Sequence, residues 1–560
     1  MTVNQPIEKP SRVSAAHNTP KSGTSVRGTR SKVKTLATLA LVTWVASLFG
    51  VSALSLPLPN IGFAQDLGLM LDAGWRYHQG LRPHADYHSP FGPLLGILFG
   101  VPMSLFGPSY GSLRFLPASI SAVFAVWCWA VCGTSLRPLS RFLVSTTTGA
   151  VAGGIYHQGF PPEILTFATF YNRVGFGLLS IVIIAALFPP NHSGRPSGLL
   201  RDISIVIGVT LLVFFKANFA VIAMPFAAWS LFQRRRTRTD WLSLGCIWVL
   251  LLAFFLAQIG FRPDLMLFDL RMAASARSHG VHYLFFPIRN ALANYDFVGL
   301  MIVQSAALAW PMTSWSIDRY RSLRMLGMVW LPALAGFALT LTQSHGDGRG
   351  ILLVVSGMAA ALASRFSTGD ERRDDAMRIR HTLASLSLGL ACLLFLFPHA
   401  KSYWTLHQVS VNPGPPPFPP GHLRELYVGP LNDLNADYVP AMREALELLS
   451  TNCRPPQSLQ FFGGCNIFTF ATGMRSPRCS MLFWCGMSTF SESLHPRPEE
   501  FSDTDFILRL KDKYVSLDTF RSWQPIYSYV ISSQYVKCDE GQYFELLRRR
   551  AMNMVPNERP

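Results

Sequence analysis

The sequence predicts a polytopic α-helical membrane protein of about eleven spans that ends in a soluble α/β or α+β domain, and three observations carry this expectation. Of the 560 residues, 49% are hydrophobic and only 14% charged, with a positive mean hydropathy, a balance that excludes an ordinary soluble enzyme. Apolar runs long enough to cross about 30 Å of hydrocarbon recur between residues 35 and 398. Arginine returns in the short polar loops that separate pairs of these runs, and basic loops stay on the cytoplasmic side. The formal net charge of +17 therefore reports membrane orientation. Nucleic-acid binding would gather Lys and Arg on one soluble face, and here they are dispersed among apolar runs.

Residues 1–34 carry seven basic side chains (Lys9, Arg12, Lys21, Arg27, Arg30, Lys32 and Lys34) against Glu8 alone, the composition of a disordered cytoplasmic tail. The run 35–58 reads as a retained anchor, because its basic leader is too long for a secretory signal. Residues 66–79 then place Leu67, Met70, Leu71, Gly74 and Trp75 at helical spacing, which predicts an amphipathic helix lying at the membrane surface. Gly80 and Pro83 end it. The run 91–107 is short and broken by Pro93 and Pro102, so it is expected to dip into the membrane without crossing.

Further spans are expected near 114–134, 142–157, 174–188, 203–215, 218–232, 241–260, 297–315, 325–342, 350–364 and 382–398. The cytoplasmic loops are those with Arg137 and Arg141, Arg195 and Arg201, Arg234 to Arg238, Arg319 to Arg324, and Arg365 to Arg380. The opposite side receives the first loop (57–113), the 157–173 turn, the Lys216–Asn218 link, the 261–296 loop, the Ser344–Gly350 turn and everything after 399. Within the 261–296 loop, residues 264–277 read as a second surface helix, placed to cover a site as a lid.

A transmembrane domain thus occupies 35–398, a Pro-rich linker 399–422, and a soluble extracytoplasmic domain 423–560, long enough for one core. A helix at 438–450 and strands at 458–463, 527–533 and 542–547 are expected in it. Five of nine cysteines (Cys453, Cys465, Cys479, Cys485 and Cys538) fall in this last quarter. They lack metal-finger spacing, and their clustering predicts an oxidising compartment with at least one disulfide among the first four.

Several residues on the outer side suit chemistry. Asp66 stands at the start of the first surface helix, where a carboxylate serves either as a helix cap or as a base. Asp72, four residues before Arg76, is expected to form a surface ion pair with it. His84, Asp86 and His88 alternate, and an extended backbone would project all three to one side as ligands. Arg173, Lys216, Arg277 and Arg349 lie at outer ends of spans or in outer loops, where cations either snorkel to lipid headgroups or hold a bound phosphate. The Gly346–Gly350 turn around Arg349 permits close backbone approach. There is no phosphate-binding loop of the nucleotide-hydrolase kind, no dinucleotide fingerprint and no nucleophile elbow, which disfavours a nucleotide-driven pump.

Asp66 just beyond the first span, a short helix, the Gly80-x-x-Pro83-x-x-Asp86-Tyr87 turn, Pro90, Phe106-Gly107 and Arg114 together resemble the first outer loop of the C-type, multi-membrane-span glycosyltransferases. The branch that it resembles contains the bacterial protein mannosyltransferases and the lipid A aminoarabinose transferases; His84 stands where that family commonly has an aromatic. The resemblance implies an inverting transfer of a sugar from a polyprenyl-phosphate donor to a glycan, lipid or protein acceptor, at the outer face of a bacterial-type inner membrane. Asp66 matches the acid that acts on the acceptor hydroxyl, and Asp86 a recurrent loop acid, with His84 and His88 beside it as acceptor-binding or loop-structuring groups. Arg173, Lys216, Arg277 and Arg349 are the candidates for the donor phosphate. No cofactor is firmly implied; a divalent metal is compatible with this chemistry, but Lys and Arg neutralise a phosphate without one. Two other classes use the same outer cavity. A flippase for lipid-linked sugar needs mid-membrane charges and alternating access, and a glycan polymerase or ligase would use Arg277 and His279 in the 261–296 loop.

Overall fold

The computed structural model describes residues 23–61, 64–133, 135–158, 160–187, 195–233, 236–276, 319–340, 354–358, 374–412, 418, 421–428, 438–484, 489–511 and 524–550. Arg277, Arg349 and the expected span 297–315 lie outside these residues, as does most of the span 350–364. Five helical stretches are long and apolar enough to cross a membrane: Ser31–Leu54, Tyr110–Cys132, Phe170–Leu187, Arg238–Gln258 and Thr382–Val411. Pro93–Phe106 and Ala217–Phe232 are shorter apolar helices. The protein is a multi-pass helical membrane protein with a small mixed sheet at its C-terminal end.

The first helix, α1 (Gly23–Leu54), begins inside the stretch whose composition reads as a tail. It is followed by α2 (Ala64–His78) and α3 (Pro93–Phe106), the latter opened by a proline at its first position and carrying Pro102 inside. Fourteen residues rise about 21 Å, less than a bilayer core. Helix α2 packs closely on α3 because Gly74 has no side chain: a Cβ there would lie 2.8 Å from Phe99 Cβ. The membrane part continues with α4 (Leu116–Cys132), α5 (Pro138–Ala152), α6 (Phe170–Leu187), α7 (Arg195–Val213), α8 (Ala217–Gln233) and α9 (Arg238–Gln258). Then come α10 (Pro263–Ala276), α11 (Arg319–Thr340) and α12 (Asp374–Val411). Every residue of helix α6 except Tyr171 is buried.

The C-terminal region builds α13 (Tyr438–Asn452), β1 (Leu459–Phe462), α14 (Ile467–Thr472), β2 (Phe506–Leu510), α15 (Gln524–Gln534), β3 (Tyr535–Glu540) and β4 (Phe544–Arg549). Its sheet has the order β1-β2-β4-β3, with β1 and β2 parallel and the other two pairs antiparallel. The expected strand at 527–533 is instead helix α15. Tyr527 is buried at 0% exposure and Ile531 at 5%, while Tyr529 is 80% exposed. A strand would have put all three on one face; the i, i+4 pair faces the core and Pro525 suits the first helical turn.

Helix α2 also departs from its expectation. It does not lie on a lipid surface: Leu67, Leu69, Met70, Leu71, Ala73 and Trp75 are all buried, covered by α3 on one side and the C-terminal region on the other. Leu48 of α1, Phe176 of α6, Met70 of α2 and Leu546 of β4 belong to one continuous apolar core. No disulfide joins two cysteines among the described residues. Cys453 follows directly after α13, Cys465 packs against Gly68 of α2, and Cys479 lies in a turn at φ 58° beside Asp86. Cys485 lies outside the described residues. Burial pushes the Cys453 thiol up to about 12.

Candidate active site

Asp66 is the third residue of α2, inside its first turn rather than in the capping position. Its carboxylate lies where the free N–H groups of a helix start favour negative charge, and Oδ2 accepts the backbone N–H of Thr169 at 3.1 Å. Thr169 sits at φ 55°, in the left-handed region, at the turn that opens α6. That turn is braced from within. Arg173, fully buried, donates Nη1 to the Tyr156 carbonyl and Nη2 to the Thr166 carbonyl at 3.2 Å, and its guanidinium stands 5.4 Å from the Phe170 ring centre. Arg173, expected among the cations for a donor phosphate, thus braces this turn through two backbone carbonyls.

Lys216, in the link between α7 and α8, lies on the other side of the same turn. Its Nζ donates to Asn172 Oδ1 at 2.6 Å and is surrounded by the rings of Tyr171, Phe219 and Phe91 at 4.7, 5.7 and 5.9 Å. Aromatic faces attract an ammonium electrostatically.

The residues 82–89 form a turn and not an extended strand, with a bridge between Pro83 and Tyr87 and His84 at φ 67°. The three alternating groups therefore do not share a side. Asp86 turns back on Arg82, accepting its N–H at 2.8 Å and its Nε at 3.1 Å. His84 and His88 both turn their Nδ1 to Asp269 of α10, at 2.7 and 2.6 Å, and the Ser89 N–H completes that carboxylate at 2.9 Å. Burial would raise the Asp269 carboxyl, but the hydrogen bonds from His84 and His88 outweigh it and hold the group below its ordinary range. Among the described residues no three His, Cys, Asp or Glu side chains are grouped to hold a metal ion.

Asp269 escaped the sequence reading although α10 did not. The segment 264–277 reads as a surface helix, and its amphipathic pattern says nothing about which polar residue is buried against a loop more than 180 residues earlier. Asp72 is the other correction. It is not at the surface: Asp72 and Arg76 are both 0% exposed, joined at 3.0 Å. Burial pushes the Asp72 carboxyl up, against the pull of Arg76, Ser476 and Thr469.

No family model and no curated protein matches the sequence. The fold is similar to two solved structures over most of the chain. ArnT from Cupriavidus metallidurans bound to undecaprenyl phosphate superposes with a TM-score of 0.47 at 13% identity, covering 92% of this chain and 99% of that one. The oligosaccharyltransferase AglB from Archaeoglobus fulgidus, in complex with an inhibitory peptide and a dolichol-phosphate, superposes with a TM-score of 0.36 at 12% identity, covering 92% of this chain and 75% of that one.

Proposed function

We propose that the protein transfers a sugar from a polyprenyl-phosphate donor to an acceptor hydroxyl at the outer face of the membrane. The observation that carries this reading is the gathering of one acid and one cation by a single short turn. Thr169 holds the Asp66 carboxylate, and Asn172 three residues later holds the Lys216 ammonium. Asp66 takes the proton of the acceptor hydroxyl as its oxygen attacks the anomeric carbon. The bond from that carbon to the phosphate oxygen breaks, and Lys216 meets the charge on the departing polyprenyl phosphate. Attack from the side opposite the phosphate inverts the anomeric centre. Arg173, Arg277 and Arg349 remain candidates for the same phosphate, and His84, Asp86 and His88 shape the loop beside it.

Asp66→Asn tests this. Asn keeps an oxygen for the Thr169 N–H and takes up no proton, so folding is retained and turnover is expected to fall by a factor on the order of 10²–10⁴. The assay is transfer from a panel of undecaprenyl-phosphate-linked labelled hexoses and pentoses by purified protein in nanodiscs. A folded Asp66→Asn protein that transfers sugar near the parent rate overturns the assignment.

A further inference from the structure

The end of α2 away from Asp66 holds a group that the proposed reaction does not use. Arg76 is fully buried and reaches three parts of the molecule at once. Its Nε donates to Asp72 Oδ2 at 3.0 Å, one turn earlier in α2. Its Nη1 donates to the Pro477 carbonyl at 3.2 Å and to Ser480 Oγ at 3.0 Å, both in the C-terminal domain. The guanidinium also lies 4.7 Å from the centre of the Tyr87 ring, in the turn that carries His84 and His88.

Each partner is tied to the others. Thr469 Oγ1 and Ser476 Oγ donate to Asp72 Oδ1, each at 3.3 Å. The His88 N–H donates to the Ser480 carbonyl at 2.9 Å, and the Leu482 N–H to the His88 carbonyl at 2.9 Å. Trp75 Nε1 and Gln79 Nε2 both donate to the Met474 carbonyl, at 2.9 and 3.1 Å. A planar fork with donors in fixed directions suits this junction, and the single point charge of a lysine does not.

We propose that Arg76 is a positioning residue that locks three pieces into one body: the helix carrying Asp66, the turn carrying His84 and His88, and segment 469–482 of the C-terminal domain. Its effect on sugar transfer rests on the function proposed above; its mechanical role does not. The C-terminal domain thereby sets where the acid stands, and a displacement of about 1 Å is enough to slow a positioned reaction by roughly 10²-fold.

The test compares the full-length protein in nanodiscs with Arg76→Lys, which keeps the charge and loses the fork, and Ser480→Ala, which removes one acceptor. Hydrogen exchange is read at residues 66–72, 86–88 and 479–482. Turnover is read with the undecaprenyl-phosphate-linked donor that the panel identifies, and undecaprenyl phosphate binding by native mass spectrometry. In Arg76→Lys, exchange is expected to rise about tenfold in all three segments together. Turnover is expected to fall by roughly ten- to a hundredfold, with undecaprenyl phosphate bound as in the parent. A rise confined to α2, or parent turnover in a protein whose three segments have loosened, overturns the proposal. A parent that transfers sugar from no donor removes the glycosyltransferase reading instead, and the exchange pattern still decides whether Arg76 couples the segments. Should Arg76→Lys fail to fold, Ser480→Ala carries the same test, and unchanged exchange at 86–88 in that variant refutes the coupling.

Discussion

Lys216 shows at the scale of a residue why position in the sequence is a poor guide to role. Arg173 and Lys216 both stand at ends of apolar runs and read alike as cations for a phosphate. The Arg173 guanidinium is enclosed and donates to two carbonyl groups, whereas the Lys216 ammonium donates to the Asn172 side chain and lies beside three rings. Lys216→Met, which preserves much of the stem and removes the charge, is therefore expected to weaken undecaprenyl phosphate binding by about 10- to 100-fold, the worth of a hydrogen bond to a charged group. Binding within twofold of the parent would remove Lys216 from the phosphate site. Arg173→Met is expected instead to destabilise the folded protein, because two carbonyls lose a buried charged donor. Asp72→Asn belongs with it: breaking a fully buried ion pair costs about 3–5 kcal/mol, where an exposed pair would cost tenths, and thermal unfolding of the variant measures which applies.

Helix α10 shows the same lesson for an element. The sequence places a lid here, and the structure ties that helix down through Asp269, held between two imidazoles and a backbone N–H. Because the folded carboxyl is held below its ordinary range, the stability it contributes is fully present above that range and is lost as pH falls through the lower, folded value. Limited proteolysis within 263–276 is thus expected to stay slow until the medium is more acidic than an ordinary carboxylate requires. In Asp269→Asn cleavage is expected to be fast at neutral pH as well. Equal cleavage of parent and variant at neutral pH would show that apolar contacts alone hold α10.

Much of the site's scaffold is legible before any coordinates. Helix α2, the break at Gly80 and the short α3 follow from spacing and from Gly and Pro. The joints are not legible: Asp269 with His84, and Asp72 with Ser476, pair groups far apart in the chain, and local periodicity reports only that each sits on a helix. The misread strand at 527–533 fails for a related reason, since alternation and helical spacing agree over so few residues and only burial separates them.

Among the described residues the largest apolar core runs from the membrane helices into the sheet and includes Leu67 of α2, next to Asp66, while two smaller clusters reach α10. The orientation expected from the arginine-bearing loops gives a direct test. Cysteines introduced at Gly369 and Gly421 are expected to react with an impermeant reagent from opposite sides of the membrane, and equal reactivity from one side would overturn that map. The joint between α2 and the C-terminal domain also has a consequence in time. Asp72 and Ser476 are 404 positions apart, and a ribosome adding about 5–20 residues per second needs roughly 20–80 s to cover that distance. Throughout that interval the first loop has been made while the groups that fasten Asp72 and Arg76 have not. Asp72 and Arg76 are therefore fastened only after about 400 further residues have been made.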